Sequence, residues 1–243
     1  MFQTAGDTIL IDAGPKKLNS DAGDKIVLPD LDRLGSEGVD LIMLSHPDED
    51  HVGGTDAILR AYPHAKIVMS ADFKGYPAME KHLQSWNLTD KDVVWLGPHA
   101  RLNVGEFALT IDDPFLLPGA NDNSGSMFIH IVGPAGSAVF SGDADKQTEE
   151  EMEPLENWKA QVMKVGHHGS KTATDQTWLA AVQPKYAVIS CGLNNPYGHP
   201  APQTVDRLSA AGIKIFRTDR QGDIEFDYDE AKGFVPEEKP YTG

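Results

Sequence analysis

Residues 45–54 read Ser-His-Pro-Asp-Glu-Asp-His-Val-Gly-Gly, which places two histidines and two aspartates within six residues. The apolar run at residues 40–45 predicts a buried strand that leads into it, and loops at strand ends often carry the sites of α/β proteins. Imidazole and carboxylate groups bind zinc, manganese or iron. An acidic surface loop with stray histidines is the alternative, but it does not explain the preceding strand or the two glycines. The candidate metal ligands are His46, Asp48, Asp50 and His51.

Outward from this loop, strand-like apolar runs alternate with helix-like segments, which favours an α/β fold. The predicted strands are residues 8–12, 40–45, 66–70, 93–96, 107–111, 127–132, 138–141, 162–165, 186–190 and 213–216. The predicted helices are residues 28–37, 55–62, 77–87 and 202–211, with a further helix starting near Thr172. The sequence shows no internal repeat and no linker rich in Gly, Ser or Pro. We therefore expect residues 1–243 to form a single domain.

The charge of the sequence is acidic but unevenly distributed. The chain has 21 basic and 37 acidic residues, a formal net charge of −16, which argues against a non-specific nucleic-acid binder. Residues 161–220 differ, with seven basic and three acidic residues. A solvated acidic surface would explain the charge of the whole chain. The basic segment favours a more specific interpretation, a locally positive surface that binds an anionic substrate.

Cysteine content and hydropathy restrict the class of protein further. The single cysteine, Cys191, excludes an intrachain disulfide and a Cys-rich zinc module. No apolar run is long enough to span a membrane, and the first residues lack the basic start and apolar stretch of a signal peptide. These features predict a cytoplasmic location if the chain is complete.

Several motifs, taken in chain order, resemble one known family. Residues 45–54 resemble the His-x-His-x-Asp-His motif of the metallo-β-lactamase superfamily, with Asp48 where the second histidine usually lies. That variant is similar to the hydrolase domain of ComEC-type competence proteins, which act in DNA uptake. The other matching segments are Ile11-Asp-Ala-Gly14, Asn121-Asp-Asn-Ser124, Ser141-Gly-Asp143, Val165-Gly-His-His-Gly-Ser-Lys171 and Asn195-Pro-Tyr-Gly-His-Pro200. The resemblance covers about residues 8–225.

The resemblance implies a fold and a cofactor. The fold would be α/β, the metallo-β-lactamase αβ/βα four-layer sandwich, with two mixed sheets packed face to face. The cofactor would be two divalent metal ions, zinc or manganese, and the carboxylate ligands favour Mn²⁺. Asp12 would support the metal loop. By position, the implied ligands are His46 and Asp48 for the first metal, Asp50, His51 and His199 for the second, Asp143 as the bridge, and Asp122, for which Asn123 is an alternative.

The resemblance also implies a set of catalytic groups. Asp50 would orient the nucleophilic water as well as bind metal, and His167 or His168 would stabilise the leaving group or an equatorial oxygen. Which histidine acts is left open, and one of them is equally well interpreted as structural. Ser170 and Lys171 would open the helix near Thr172, whose backbone N–H groups favour an anion. A surface lysine is the alternative interpretation of Lys171.

Three hypotheses for the function follow. The first is a phosphodiesterase or nuclease acting on single-stranded DNA or another phosphodiester. The second is a small-molecule hydrolase that opens a lactone, β-lactam or thioester, which the net charge favours because a duplex would be repelled. The third is a non-catalytic binding domain that retains the fold, against which the complete ligand set argues. Competence proteins also carry a membrane-embedded channel region without a counterpart here, so a free-standing relative and a fragment of a longer protein both stay open.

Overall fold

The computed structural model describes residues 1–114 and 121–237. The described chain forms two compact units. The first comprises residues 1–100 and 121–127, and the second comprises residues 101–114 and 128–237. The prediction that the whole chain is a single domain stays a prediction.

The first unit contains a five-stranded sheet with the order β1-β2-β5-β6-β7. Strands β2, β5, β6 and β7 are parallel, and the short β1 pairs antiparallel with β2. Because parallel strands are usually covered on both faces, their sequences are near-continuous apolar runs. The strand bounds are β1 Phe2–Gln3, β2 Thr8–Ile11, β5 Leu41–Met43, β6 Lys66–Ser70 and β7 Val93–Leu96, and a separate hairpin consists of β3 Lys16–Lys17 and β4 Ser20–Asp21.

Helices of the first unit bury one apolar stripe each against this sheet. Leu31, Ile58 and Leu83 come from three different helices and lie in one core cluster with Ile42 and Ile67 of the sheet. This burial removes apolar area from water and is the main stabilising contribution. The helices are α1 Leu28–Arg33, α2 Glu49–Val52, α3 Thr55–Ala61 and α4 Pro77–Ser85, with a π-helix at Gly23–Val27 and short 3₁₀ turns at Ala71–Phe73, Asp90–Asp92 and Asp122–Gly125.

The second unit contains a seven-stranded mixed sheet with the order β14-β13-β12-β11-β10-β9-β8. Strands β11 to β14 are parallel, whereas β9, β10 and β11 are antiparallel neighbours. The strand bounds are β8 Ala100–Val104, β9 Phe107–Asp112, β10 Phe128–Val132, β11 Ser137–Phe140, β12 Val162–Lys164, β13 Tyr186–Ile189 and β14 Lys214–Arg217, and a separate hairpin consists of β15 Phe226–Asp229 and β16 Gly233–Pro236.

Two tryptophans dominate the core of the second unit. Trp158 and Trp178 are each 1% exposed, and both rings contact Phe128 of the sheet. The Trp158 indole N–H donates to the Met152 carbonyl at 2.8 Å, so its one polar atom is satisfied. The helices of this unit are α5 Lys146–Met152, α6 Gln176–Val182, α7 Pro202–Ala210 and α8 Thr218–Gln221, with 3₁₀ turns at Glu153–Leu155 and Gly166–Gly169.

The predicted elements are present, and one predicted boundary was wrong in a way that affects the site. The helix expected to start near Thr172 begins at Gln176. Asp175 is its N-cap and accepts hydrogen bonds from the N–H groups of Thr177 and Trp178. Ser170 and Lys171 therefore do not lie at a helix N-terminus. Within residues 1–114 and 121–237, no helix combines the length and the apolar character that crossing a membrane requires.

Candidate metal centre

The loop at residues 45–54 brings four candidate ligands of the first unit together. We call His46, Asp48, Asp50 and His51 the His46 cluster. His46 Nε2 lies 3.6 Å from an Asp48 carboxylate oxygen, and the His46 and His51 ring centroids are 4.1 Å apart. Asp50 and His51 offer ligand atoms within 4.8 Å of each other. Both histidines are buried and Asp50 is exposed, so the cluster has a covered side and an open one.

Asp12 supports this loop from the end of β2. Its carboxylate accepts hydrogen bonds from the Ser45 N–H at 2.8 Å and from His51 Nδ1 at 2.7 Å. A carboxylate on Nδ1 fixes the tautomer of a histidine that binds metal through Nε2. Burial opposes ionisation of Asp12, but the interactions with His51 and the hydrogen bond from Ser45 lower its pKa below the ordinary value. Asp12 adopts φ 60° to reach both partners.

His46 provides a test of whether this loop suits a cation. The side chain is fully buried, and its Nδ1 lies 3.0 Å from the Ser45 hydroxyl. Its Nε2 is also buried and has no hydrogen-bond partner among residues 1–114 and 121–237. A buried polar atom without a partner costs free energy, whereas an imidazole nitrogen is a good ligand for a divalent metal. The donor set therefore fits a metal ion.

The two glycines after the cluster are required by close backbone contacts. A Cβ atom on Gly54 would lie 2.2 Å from the Ala13 carbonyl oxygen and 2.7 Å from the Gly23 nitrogen. A Cβ atom on Gly53 would lie 2.3 Å from the Lys16 nitrogen. No larger residue fits at either position without a backbone shift. The glycines let the chain after β2 pack directly against the metal loop.

Two side chains that the sequence did not point to also contact this region. Nε2 of His82, in α4, lies 2.9 Å from the carbonyl oxygen of Pro47, the residue between His46 and Asp48. The Tyr76 hydroxyl donates to Asp122. That hydrogen bond, burial and the charges of Asp122 and Asp48 raise the pKa of Tyr76 above its ordinary value. Tyr76 therefore lies close to both carboxylates, and Asp122 is half-buried beside it.

The second unit carries its own set of candidate ligands, Asp143, His167, His168 and His199, which we call the Asp143 cluster. Asp143 follows β11 and is buried. One of its carboxylate oxygens lies 3.3 Å from His168 Nε2 and 3.8 Å from His167 Nε2. Such a carboxylate with imidazoles around it is a donor set for a divalent cation. Each of the two clusters could thus hold metal.

An unusual backbone conformation presents the two adjacent histidines. His167 and His168 both have positive φ, 46° and 53°, a conformation that costs free energy for residues other than glycine. The His167 N–H donates to the Gly142 carbonyl, and His168 Nδ1 lies 2.8 Å from the Ser190 carbonyl oxygen. The bond at Nδ1 directs His168 Nε2 toward Asp143.

His199 is held by a side-chain clamp. Asn195 donates from its amide nitrogen to the His199 carbonyl at 2.6 Å and accepts from the His199 N–H at 3.0 Å. The His199 and His167 ring centroids are 5.8 Å apart. Burial, with the nearby His167 and His168, lowers the pKa of His199 below its ordinary value. The neutral imidazole is the form that binds metal.

Ser170 and Lys171 lie in the same loop but differ in environment. The Ser170 side chain is buried, and its hydroxyl lies 2.9 Å from that of Thr172. Its carbonyl accepts from the Thr204 hydroxyl at 2.8 Å. Lys171 is exposed. The contacts of Ser170 therefore organise the loop, whereas Lys171 offers an accessible positive charge.

A buried carboxyl group lies behind this loop. Glu149 of α5 is 1% exposed and accepts from the Thr174 N–H at 2.7 Å, and the Thr174 hydroxyl accepts from the Gly166 N–H at 3.0 Å. Burial raises the pKa of Glu149 to about 8, although hydrogen bonds from the backbone of Thr174 and Asp175 oppose the shift. The role of Glu149 could not be predicted from the sequence, because its hydrogen-bond partner Thr174 is distant along the chain.

The fold and these donor sets define a class of protein, and comparison with known families agrees. The chain belongs to the metallo-β-lactamase superfamily, whose family profile matches residues 1–193. The predicted α/β metallo-β-lactamase fold is confirmed. Among solved structures, the chain is similar to the metallo-β-lactamase fold protein YhfI from Bacillus subtilis. The TM-score is 0.56 at 14% identity, over 97% of this chain and 89% of that chain.

Within the superfamily, the chain is similar to competence proteins. It is 31% identical to ComE operon protein 3 of Bacillus subtilis (strain 168) over 220 residues, which is 90% of this chain and 28% of that protein. It is also 31% identical to the competence protein ComA of Neisseria gonorrhoeae over 233 residues, which is 93% of this chain and 30% of that protein. The resemblance to ComEC-type competence proteins is confirmed. The chain spans less than a third of the length of these relatives.

Proposed function

We propose that this chain is a metal-dependent phosphodiesterase that hydrolyses single-stranded DNA or a related phosphodiester. Its metal ligands would come from both clusters and bind one pair of divalent ions. The observation that carries this proposal is the similarity, over 93% of the chain, to a relative named as a competence protein. Two features support it: the carboxylate-rich donor set, and the basic character of residues 161–220.

The proposed ligands are those of the family pattern. His46 and Asp48 would hold the first metal, His51, Asp50 and His199 would hold the second, and Asp143 would be a ligand shared by both. Asp122 joins the first site, and Asn123 is the alternative there. The proximity of Tyr76 to both Asp48 and Asp122 supports Asp122. Carboxylate oxygens prefer harder cations, so Mn²⁺ is proposed ahead of Zn²⁺.

The chain's own residues then account for substrate orientation and proton transfer. When bound, divalent cations of this kind lower the pKa of water and neutralise charge on a phosphodiester. Asp50 is exposed and would orient the attacking water as well as hold metal. His168 is fixed by Ser190 and faces Asp143, so we assign His167 to the leaving oxygen, to which it donates a proton. Lys171 attracts the anionic substrate.

A small-molecule hydrolase that opens a lactone, β-lactam or thioester is the second candidate. The net charge of −16 favours it, because a polyanion is repelled by most of this chain. The two candidates share the metal ligands and differ in the bond that is cleaved. A non-catalytic binding domain is the third candidate, and chain that takes up no Mn²⁺ or Zn²⁺ would support it.

The test is degradation of end-labelled single-stranded DNA by the purified chain with Mn²⁺ or Zn²⁺. Asp50→Ala is compared with Glu49→Gln, because Glu49 is the adjacent exposed carboxylate and is outside the proposed ligand set. We expect cleavage by the wild type and by Glu49→Gln, and loss of cleavage in Asp50→Ala. Bound metal without cleavage of DNA would contradict the phosphodiesterase proposal and favour the small-molecule hydrolase.

A further inference from the structure

An exposed tyrosine lies beside the Asp143 cluster in the loop between β13 and α7. Tyr197 is 79% exposed, and Leu193 in the same loop is 73% exposed. The Tyr197 ring is stacked on the His199 ring, with 6.0 Å between centroids and 18° between planes. A single exposed apolar residue is ordinary on a protein surface. An aromatic ring stacked parallel to a candidate metal ligand, with most of its surface in solvent, is a more specific arrangement.

The loop that carries Tyr197 is held by hydrogen bonds. The Asn195 amide donates to the Gly192 carbonyl at 3.0 Å as well as to that of His199. The Gly198 N–H donates to the Asn195 carbonyl at 3.3 Å, and Gly198 has φ 71°. These bonds fix the backbone on both sides of the tyrosine. Its ring is therefore presented in one place, which lowers the entropy lost when a ligand stacks on it.

The surroundings of the ring suit a polyanion. The loop at residues 166–171 packs against the segment after His199, where the Ala201 N–H donates to the Gly169 carbonyl at 2.9 Å. Lys171 is exposed at the end of that loop. Aromatic rings combined with positive charge are how proteins bind single-stranded nucleic acid without reading its sequence. Bases within a duplex are already stacked, so such a ring favours unpaired bases.

We propose that Tyr197 stacks on an unpaired nucleobase next to the scissile phosphodiester and so makes single-stranded nucleic acid the preferred substrate. This inference rests on the proposed function, which it deepens by naming the substrate contact. Stacking on one base contributes about 1–3 kcal/mol. Loss of the ring should therefore weaken binding by about 5-fold to 150-fold.

The test measures binding of a fluorescein-labelled phosphorothioate oligo(dT) that resists hydrolysis, and of an oligomer of equal length in which every base is absent. Fluorescence anisotropy is recorded with Mn²⁺ for the wild type and for Tyr197→Phe, Tyr197→Leu and Tyr197→Ala. We expect Tyr197→Phe to bind oligo(dT) as the wild type does, and the other two variants to bind it at least 5-fold more weakly. Binding of the abasic oligomer should be equal in all four proteins.

Two results would overturn this inference. One is equal weakening for oligo(dT) and the abasic oligomer, which would mean that Tyr197 only supports His199. The other is binding of oligo(dT) that is unchanged in Tyr197→Leu and Tyr197→Ala. Cleavage of ordinary oligo(dT) is measured in parallel. Base-dependent binding that requires Tyr197, without any cleavage, would support stacking of Tyr197 on a base and contradict the proposed function, so the two fail separately.

Discussion

The two candidate ligand clusters differ in how the chain builds them. The His46 cluster takes its four side chains from six consecutive residues at the end of one strand, and Asp12 and two glycines hold them. The Asp143 cluster draws on three separate loops, positioned by the positive φ angles of His167 and His168 and by the Asn195 clamp. The first is encoded locally, whereas the second depends on contacts between distant segments. We therefore expect the His46 cluster to be sensitive to substitutions within its own loop and its supports, and the Asp143 cluster to substitutions in segments distant along the chain.

The largest expected effect is a loss of activity, which tests whether both clusters serve one reaction. His46→Ala and His199→Ala should each lower the rate of single-stranded DNA cleavage on the order of 10³-fold. Removing a metal ligand should cost more than removing its hydrogen-bond partner, which typically costs about 10-fold to 100-fold. Initial rates with Mn²⁺ measure this. His64→Ala, an exposed histidine outside both clusters, is the control and should keep the wild-type rate.

If only one of the two histidine variants loses activity, the clusters do not act together. That result would contradict a shared site, because only one of the two regions would then be functional.

The next effect is on folding and concerns the locally encoded cluster. Gly54→Ala should lower the free energy of unfolding by about 3 kcal/mol, since its Cβ atom would lie 2.2 Å from the Ala13 carbonyl oxygen. Urea denaturation followed by circular dichroism measures this. Gly38→Ala is the matched control, because its Cβ atom would meet nothing within 4 Å. Equal stability of the two variants would contradict the packing described for the metal loop.

A smaller effect is expected for the residue that supports the His46 cluster without belonging to it. Asp12→Asn keeps the size of the side chain but removes the charge that fixes the His51 tautomer. Metal affinity should fall about 10-fold to 100-fold, as measured by competition with a chromophoric chelator. Asp7→Asn, at the other end of β2, is the control. Unchanged affinity in Asp12→Asn would show that the loop holds His51 without this carboxylate.

The smallest effect concerns the buried Glu149 behind the Asp143 cluster. Its pKa is about 8 in the folded chain and 4.5 as a reference for the unfolded chain. Between pH 4.5 and pH 8 the Glu149 carboxyl group is ionised in the unfolded chain but protonated in the folded chain. The free energy of unfolding of the wild type therefore falls as the pH rises. Relative to Glu149→Gln, the wild type should lose on the order of 2 kcal/mol between pH 6 and pH 7.5.

Denaturation at a series of pH values measures this difference, with Glu151→Gln on the exposed side of α5 as the control. Parallel pH profiles for the wild type and Glu149→Gln would show that Glu149 is already ionised in the folded chain.

Strands with continuous apolar runs could be predicted to the residue, as at Lys66–Ser70 and Val93–Leu96. The strand Ala100–Val104 was missed although Ala-Arg-Leu-Asn-Val alternates apolar and polar residues, which is the period of a half-buried strand. The helix Lys146–Met152 was missed because its sequence, Lys-Gln-Thr-Glu-Glu-Glu-Met, has one apolar residue and no helical period.

The candidate site shows the same division. The His46 cluster is visible in the sequence because its donors are consecutive, and the Asp143 cluster could be predicted only through the family resemblance. Tyr76, His82 and Glu149 could not be predicted, because each acts on a partner 25 or more positions away along the chain. Hydrogen bonds between distant segments leave no periodic signal in a sequence.

We proposed that both clusters bind one pair of metal ions, and the metal content of the chain tests this proposal. Wild-type and Asp143→Asn proteins are dialysed against the same free Mn²⁺ concentration, and the bound metal per chain is measured by mass spectrometry. We predict two ions per wild-type chain and fewer than one in Asp143→Asn, because the proposed bridging carboxylate serves both metals. Two ions retained in Asp143→Asn would contradict the claim.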